Sequence, residues 1–96
     1  MDADLNHLSE LLTQGRRAEA KAELEAALNT ELTDKERGEF LLKFATSYME
    51  IDTMLNKDYA ESIEAGIRAV RELEIAGNEE EKKQKLDELR RDILGK

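Results

Sequence analysis

Two stretches of this chain repeat each other at an offset of 42 residues. Gly15-Arg16-Arg17-Ala18-Glu19-Ala20 runs on into Leu24, Ala27 and Leu28, and Lys57-Asp58-Tyr59-Ala60-Glu61-Ser62 runs on into Gly66, Ala69 and Val70. Self-similarity at a fixed period is the mark of stacked helical units, none of which buries its apolar face alone. It predicts an all-α chain of antiparallel helix-turn-helix pairs, and it favours a binding surface over a reaction centre.

The rest of the composition agrees with a helical chain. There is no proline among the 96 residues, so no ring removes an amide donor from a helix interior. Aromatics make up only 4%, leaving Leu, Ile and Ala to fill the core. Cysteine is absent, which excludes disulfides, zinc–thiolate sites and thiol catalysis. No run approaches the ~18 apolar residues of a membrane span. The start, Met1-Asp2-Ala3-Asp4, lacks the basic and apolar character of a signal peptide. One domain over 1–96 and a cytoplasmic location are the expectations.

Five helices are predicted, at about 2–14, 16–29, 33–56, 58–75 and 79–94. In the first, Leu5, Leu8 and Leu12 form a narrow stripe, Asp2 or Asp4 can cap the start, and Gly15 can end it in the left-handed conformation. In the second, Ala20, Leu24, Ala27 and Leu28 share a face, and small alanines permit close approach. The third opens on a capping box, Thr33-Asp34-Lys35-Glu36. Its seam is Leu41, Phe44, Tyr48, Ile51 and Leu55. Ala45, Met49 and Leu42 flank that seam on one side, Phe40 and Met54 on the other. A helix this apolar around its girth is central and touches more than one neighbour.

The fourth helix has Asn56 or Asp58 as its cap. Its stripe is Tyr59, Ile63, Ile67, Val70 and Leu73. Gly66 inside it costs up to about 1 kcal/mol against alanine, which points to a neighbouring helix pressing close. Gly77-Asn78 marks the next stop and start. The fifth turns Leu86, Leu89 and Ile93 inward. Its Glu79-Glu80-Glu81-Lys82-Lys83 run is a solvated face, with acids at the helix start and Glu79–Lys83, Glu81–Lys85 and Asp87–Arg91 spaced for pairing.

Asp58-Tyr59-Ala60-Glu61-Ser62-Ile63 and Ala69-Val70 resemble the second helix of a tetratricopeptide repeat (TPR), as do Gly15, Glu19, Ala20, Ala27 and Leu28. The resemblance covers about fourteen residues twice. His7 and Leu8 stand where that family has leucine and glycine, and the offset of 42 exceeds its usual ~34. The resemblance implies about two TPR-like repeats and a closing helix, holding a protein segment in a groove lined by the first and third helices.

Catalytic chemistry finds little purchase. His7 is the one histidine, and Asp4-x-x-His7 is half of what a carboxylate-bridged di-iron bundle needs. Ser9, Ser47 and Ser62 have no other histidine to act as base. The glycines, at 15, 38, 66, 77 and 95, form no phosphate loop, and no spaced acidic loop resembles an EF-hand. No enzyme, cofactor or metal is expected.

The net charge of −8 arises from 23 acids against 15 bases, interspersed along the chain. Such a surface repels phosphate backbones and anionic lipid, so neither nucleic acid nor membrane is an expected partner. The expected function is a protein-binding adaptor or chaperone-like module. Its candidate contact residues are Phe40, Leu42, Met49 and Met54, which lie off the main seam of an over-apolar helix. Two alternatives are a homo-oligomeric bundle that buries those flanks in a dimer, and an acidic inhibitor that mimics nucleic acid.

Overall fold

The computed structural model describes residues 5–52 and 55–95. All regular structure among them is α-helical: α1 (Leu5–Thr13), α2 (Arg17–Leu28), α3 (Asp34–Ile51), α4 (Lys57–Ala76) and α5 (Glu79–Leu94). The helices fall into two compact units, Met1–Met54 with α1 to α3 and Leu55–Lys96 with α4 and α5.

In the first unit all three helices pack on one another, α3 touching both α1 and α2 as its wide apolar girth requires. Its core draws on Leu8, Leu11 and Leu12 of α1, Ala20, Leu24 and Leu28 of α2, and Leu41, Leu42, Phe44, Ala45 and Tyr48 of α3. Leu11 joins the expected α1 stripe, while Leu5 is only half-buried. Tyr48 lies against Phe44 at 5.9 Å between ring centroids. The Lys21 ammonium of α2 stands 5.2 Å from the Tyr48 ring centroid. That geometry gives a core aromatic a cation on its face.

The first turn between helices follows from one glycine. Gly15 takes φ +76, Arg16 N–H donates to Leu11 O at 2.8 Å, and Gly15 N–H donates to Leu12 O at 3.0 Å. This is the Schellman pattern, which uses a left-handed residue to satisfy the last carbonyls of a helix. Gly77 ends α4 in the same way: Asn78 N–H donates to Leu73 O at 3.0 Å and Gly77 N–H to Glu74 O at 3.2 Å.

The helix starts are also locally encoded. The Thr33 hydroxyl accepts from Glu36 N–H at 3.1 Å, and Glu36 Oε1 accepts from Thr33 N–H at 3.0 Å, completing the capping box. Asn56, rather than Asp58, caps α4, accepting from Asp58 N–H at 2.8 Å and Tyr59 N–H at 3.4 Å. Asn78 caps α5 through Glu81 N–H at 3.2 Å. The expected Asp2 or Asp4 cap of α1 lies outside the described residues.

The capping box makes a testable contribution. Replacing Thr33 with alanine is expected to cost about 1 kcal/mol in urea unfolding. The backbone and hydroxyl of Thr33 hold the Glu36 carboxyl below its ordinary value of 4.5. A carboxyl depressed in the folded state stabilises it fully above its unfolded value and loses that contribution as pH falls through the folded one. Unfolding midpoints should therefore fall on acidification below about pH 4.5, and fall less steeply in Glu36→Gln. Equal slopes for the two proteins would remove Glu36 from the account.

The third helix is shorter than its apolar spacing predicts. It ends at Ile51, so Leu55 lies beyond it. Two local demands stop it. Asp52 leaves helical geometry at ψ 89, with its carboxylate gripped by Arg17 of α2, Nε to Oδ2 at 2.6 Å and Nη2 to Oδ1 at 2.9 Å. Asn56 must be extended, at ψ 137, to cap α4.

In the second unit α4 and α5 form a helical hairpin. Ile63, Val70, Leu89 and Ile93 are its buried side chains; Tyr59, Ile67, Leu73 and Leu86 are half-buried. Gly66 explains itself here: a Cβ at that position would stand 3.3 Å from Leu89 Cδ1. The glycine lets α5 lie close, at the cost of helix propensity. Gly66→Ala is expected to change stability by less than about 1 kcal/mol, since the gain in propensity offsets the crowding of a packed leucine. Gly66→Leu, which drives a full side chain into Leu89, is expected to cost about 1–3 kcal/mol in thermal or urea unfolding.

Candidate partner-binding surface

The candidate contact residues sort themselves around α3. At about 100° per residue, the buried residues Phe44, Tyr48, Leu41, Ala45, Gly38 and Leu42 fill an arc of about 160°. Leu42 is 1% exposed and lies within that arc, so it is a core residue of this structure. Met49 lies between Gly38 and Leu42, just inside one edge of the arc, and is half-buried. Phe40 is half-buried at the other edge, together with Ile51. Phe40 and Met49 are nine positions apart and point about 180° from each other. They therefore belong to two rims of α3 and not to one groove. Met54 lies outside the described residues.

The rim that carries Phe40 has acids and one base beside it. Glu36, Lys43 and Glu50 are exposed on the outward side, with Ser47 half-buried between Phe40 and Ile51. One feature that periodicity does not reveal is Ile75, which is 88% exposed near the end of α4. Its position lies off the Tyr59–Leu73 stripe, about 140° from Val70.

Polar groups that resembled chemistry in the sequence make contacts along and between the helices. His7 Nε2 meets the Glu23 carboxylate at 3.0 Å, tying α1 to α2, with the imidazole half-exposed. Tyr48 is 1% exposed and belongs to the core. Tyr59 Oη donates to Asp92 O at 2.7 Å, tying the start of α4 to the end of α5. Lys82 reaches across to Glu74 of α4 at 3.4 Å, and Lys85 pairs with Glu88 at 3.3 Å rather than with Glu81.

Arg37 is the polar residue whose role the spacing of the chain leaves unannounced. Its guanidinium donates from Nε to Leu28 O at 2.8 Å and from Nη2 to Leu32 O at 3.0 Å and Thr30 O at 3.4 Å. Nη1 meets Asp34 Oδ1 at 3.0 Å. One side chain thus satisfies the carbonyls at the end of α2 and through the loop to α3. A lone arginine near a capping box was the signal available in the sequence, and a contact to main-chain oxygens cannot be read from residue identity.

Among the described residues no group of three His, Asp or Glu side chains is placed to hold a metal ion. No described helix is long and apolar enough to cross a membrane. No protein-family model, curated protein or solved structure matches this chain.

Proposed function

We propose that the chain is a non-enzymatic protein–protein interaction module of the cytosol, an adaptor or chaperone-like unit that holds a partner segment against a rim of α3. The observation that carries this is the surplus of apolar side chain on α3. Phe40 and Ile51 beside the arc of about 160° that the core takes, and Met49 near its far edge, keep part of their surface in solvent. An amphipathic partner helix covers such a rim with anchors at helical spacing. Phe40 is the proposed anchor contact and Met49 marks the second rim.

A degenerate TPR-like repeat is part of the same proposal. It is supported by three of the position pairs related by the 42-residue offset. Leu28 and Val70 are both buried, Ala27 and Ala69 are both half-buried, and Leu24 and Gly66 both lie on packed faces.

Self-association is the second reading, and Ile75 favours it, since a bare isoleucine is the kind of side chain a second copy covers. The test compares capture from cytosolic lysate by wild type, Phe40→Glu and Met49→Glu, with circular dichroism confirming that each is folded. A protein retained by wild type and lost by one variant supports the adaptor proposal and assigns the rim. Equal recovery by all three removes both rims. Capture of the chain by itself, with a sedimentation mass above the monomer that Ile75→Lys restores, replaces it with the second reading.

A further inference from the structure

The two units are held together internally by very different means. The first encloses its core between three helices, and the ties between its elements include Arg17 to Asp52, Arg37 to the α2–α3 loop and His7 to Glu23. Its buried set includes two aromatic rings and seven leucines. The second is a pair of helices with Ile63, Val70, Leu89 and Ile93 as its buried side chains. Its cross-helix ties include the Gly66–Leu89 approach, Tyr59 to Asp92 and Lys82 to Glu74. Most of α5 is exposed and charged. A segment of about forty residues rarely supplies a sufficient core by itself, and stability within a structure follows the local density of buried apolar contact.

We propose that α4–α5 is a separate cooperative unit of low stability, which opens as a whole while α1 to α3 remain folded. The opening has defined ends. Asn56 holds the start of α4, and the Gly77–Asn78 turn keeps the two helices in register, so the cap at Asn56 and the Leu89 contact are released together. Opening uncovers Ile63, Val70, Leu89 and Ile93, a second apolar stripe distinct from the rims of α3. The device is independent of whether a partner binds α3.

Native-state amide hydrogen exchange on the full chain, read by mass spectrometry, tests it. Amides within α4 and α5 are expected to exchange at least ~10-fold faster, after correction for intrinsic rates, than those at the centres of α2 and α3. Leu89→Ala is expected to accelerate exchange in α4 and α5 by about 30-fold or more, or to abolish protection there, while leaving α2 and α3 unchanged. Complete unfolding of the hairpin in that variant still supports the proposal, because the readout is confinement of the effect. A single protection level along the wild-type chain, or acceleration of α2 and α3 by the same factor in Leu89→Ala, would overturn it.

Discussion

Phe44→Ala is expected to cost the first unit about 3–5 kcal/mol, the range for deleting a fully buried aromatic ring. Phe44 is 1% exposed, in the central helix of the unit, and its ring lies against Tyr48. Removing it sacrifices the transfer energy of the ring, the aromatic contact and the packing around the space left behind. A chain of this length has roughly 5–15 kcal/mol of total stability, so the loss is a large share of what exists. Urea unfolding followed by hydrogen exchange at the α2 and α3 amides measures it. Phe40→Ala is the built-in control, the same substitution one turn earlier on the same helix. Phe40 is half-buried, and truncating it is expected to cost about 1–2 kcal/mol from the smaller area it hides. Equal losses at the two positions would place Phe40 in the core and withdraw it from the proposed contact rim.

Much of the fold was legible because its signals are local. Gly15, Thr33–Glu36 and Gly77–Asn78 each act within a few residues of themselves, and each stops or starts a helix where the chain predicts. Gly66 was legible for a different reason. A residue that weakens a helix needs a compensating contact, and Leu89 supplies it. The end of α3 was not legible. Its apolar spacing continues to Leu55, but the helix stops at Ile51, where Asp52 is held by Arg17 from 35 residues away. No window along the chain contains both.

The apolar surplus of the third helix was legible in residue type and not in arrangement. Apolar surplus on the third helix is visible as a pattern, and Phe40 and Met49 do retain exposure. Which flank the core would take depends on where α1 and α2 lie. They claim the arc that includes Leu42 and Ala45, leaving the residues at its two edges about 180° apart. Leu11 and Ile75 show the same limit from opposite sides. The first enters a core that a narrow stripe would not have given it, and the second remains bare on a helix whose other large apolar side chains are covered at least in part.

Arg37→Ala is expected to cost about 2–3 kcal/mol, more than its half-buried position and its ion pair suggest. The pair with Asp34 contributes little, because Asp34 is 81% exposed and such pairs are worth about 0–1 kcal/mol. The larger effect lies in the main-chain acceptors. Leu28 O and Leu32 O take charge-assisted bonds from the guanidinium in a part-buried setting. Bonds of that kind are worth about 1.5–3 kcal/mol, and leaving a carbonyl unsatisfied adds its desolvation cost. Arg37→Lys separates these terms. A lysine keeps the charge but presents one compact ammonium, so it can meet one of the two carbonyls and not both. It is expected to recover less than half of the loss. Asp34→Ala is expected to change stability by less than about 1 kcal/mol. If lysine restores full stability, charge alone sets the contribution and the forked geometry is irrelevant. If Asp34→Ala is as damaging as Arg37→Ala, the ion pair dominates and the loop carbonyls do not. The expected order, with Arg37→Ala lowest, Arg37→Lys closer to it than to wild type and Asp34→Ala near wild type, follows only if a single guanidinium closes the end of α2 and sets the course of the chain into α3.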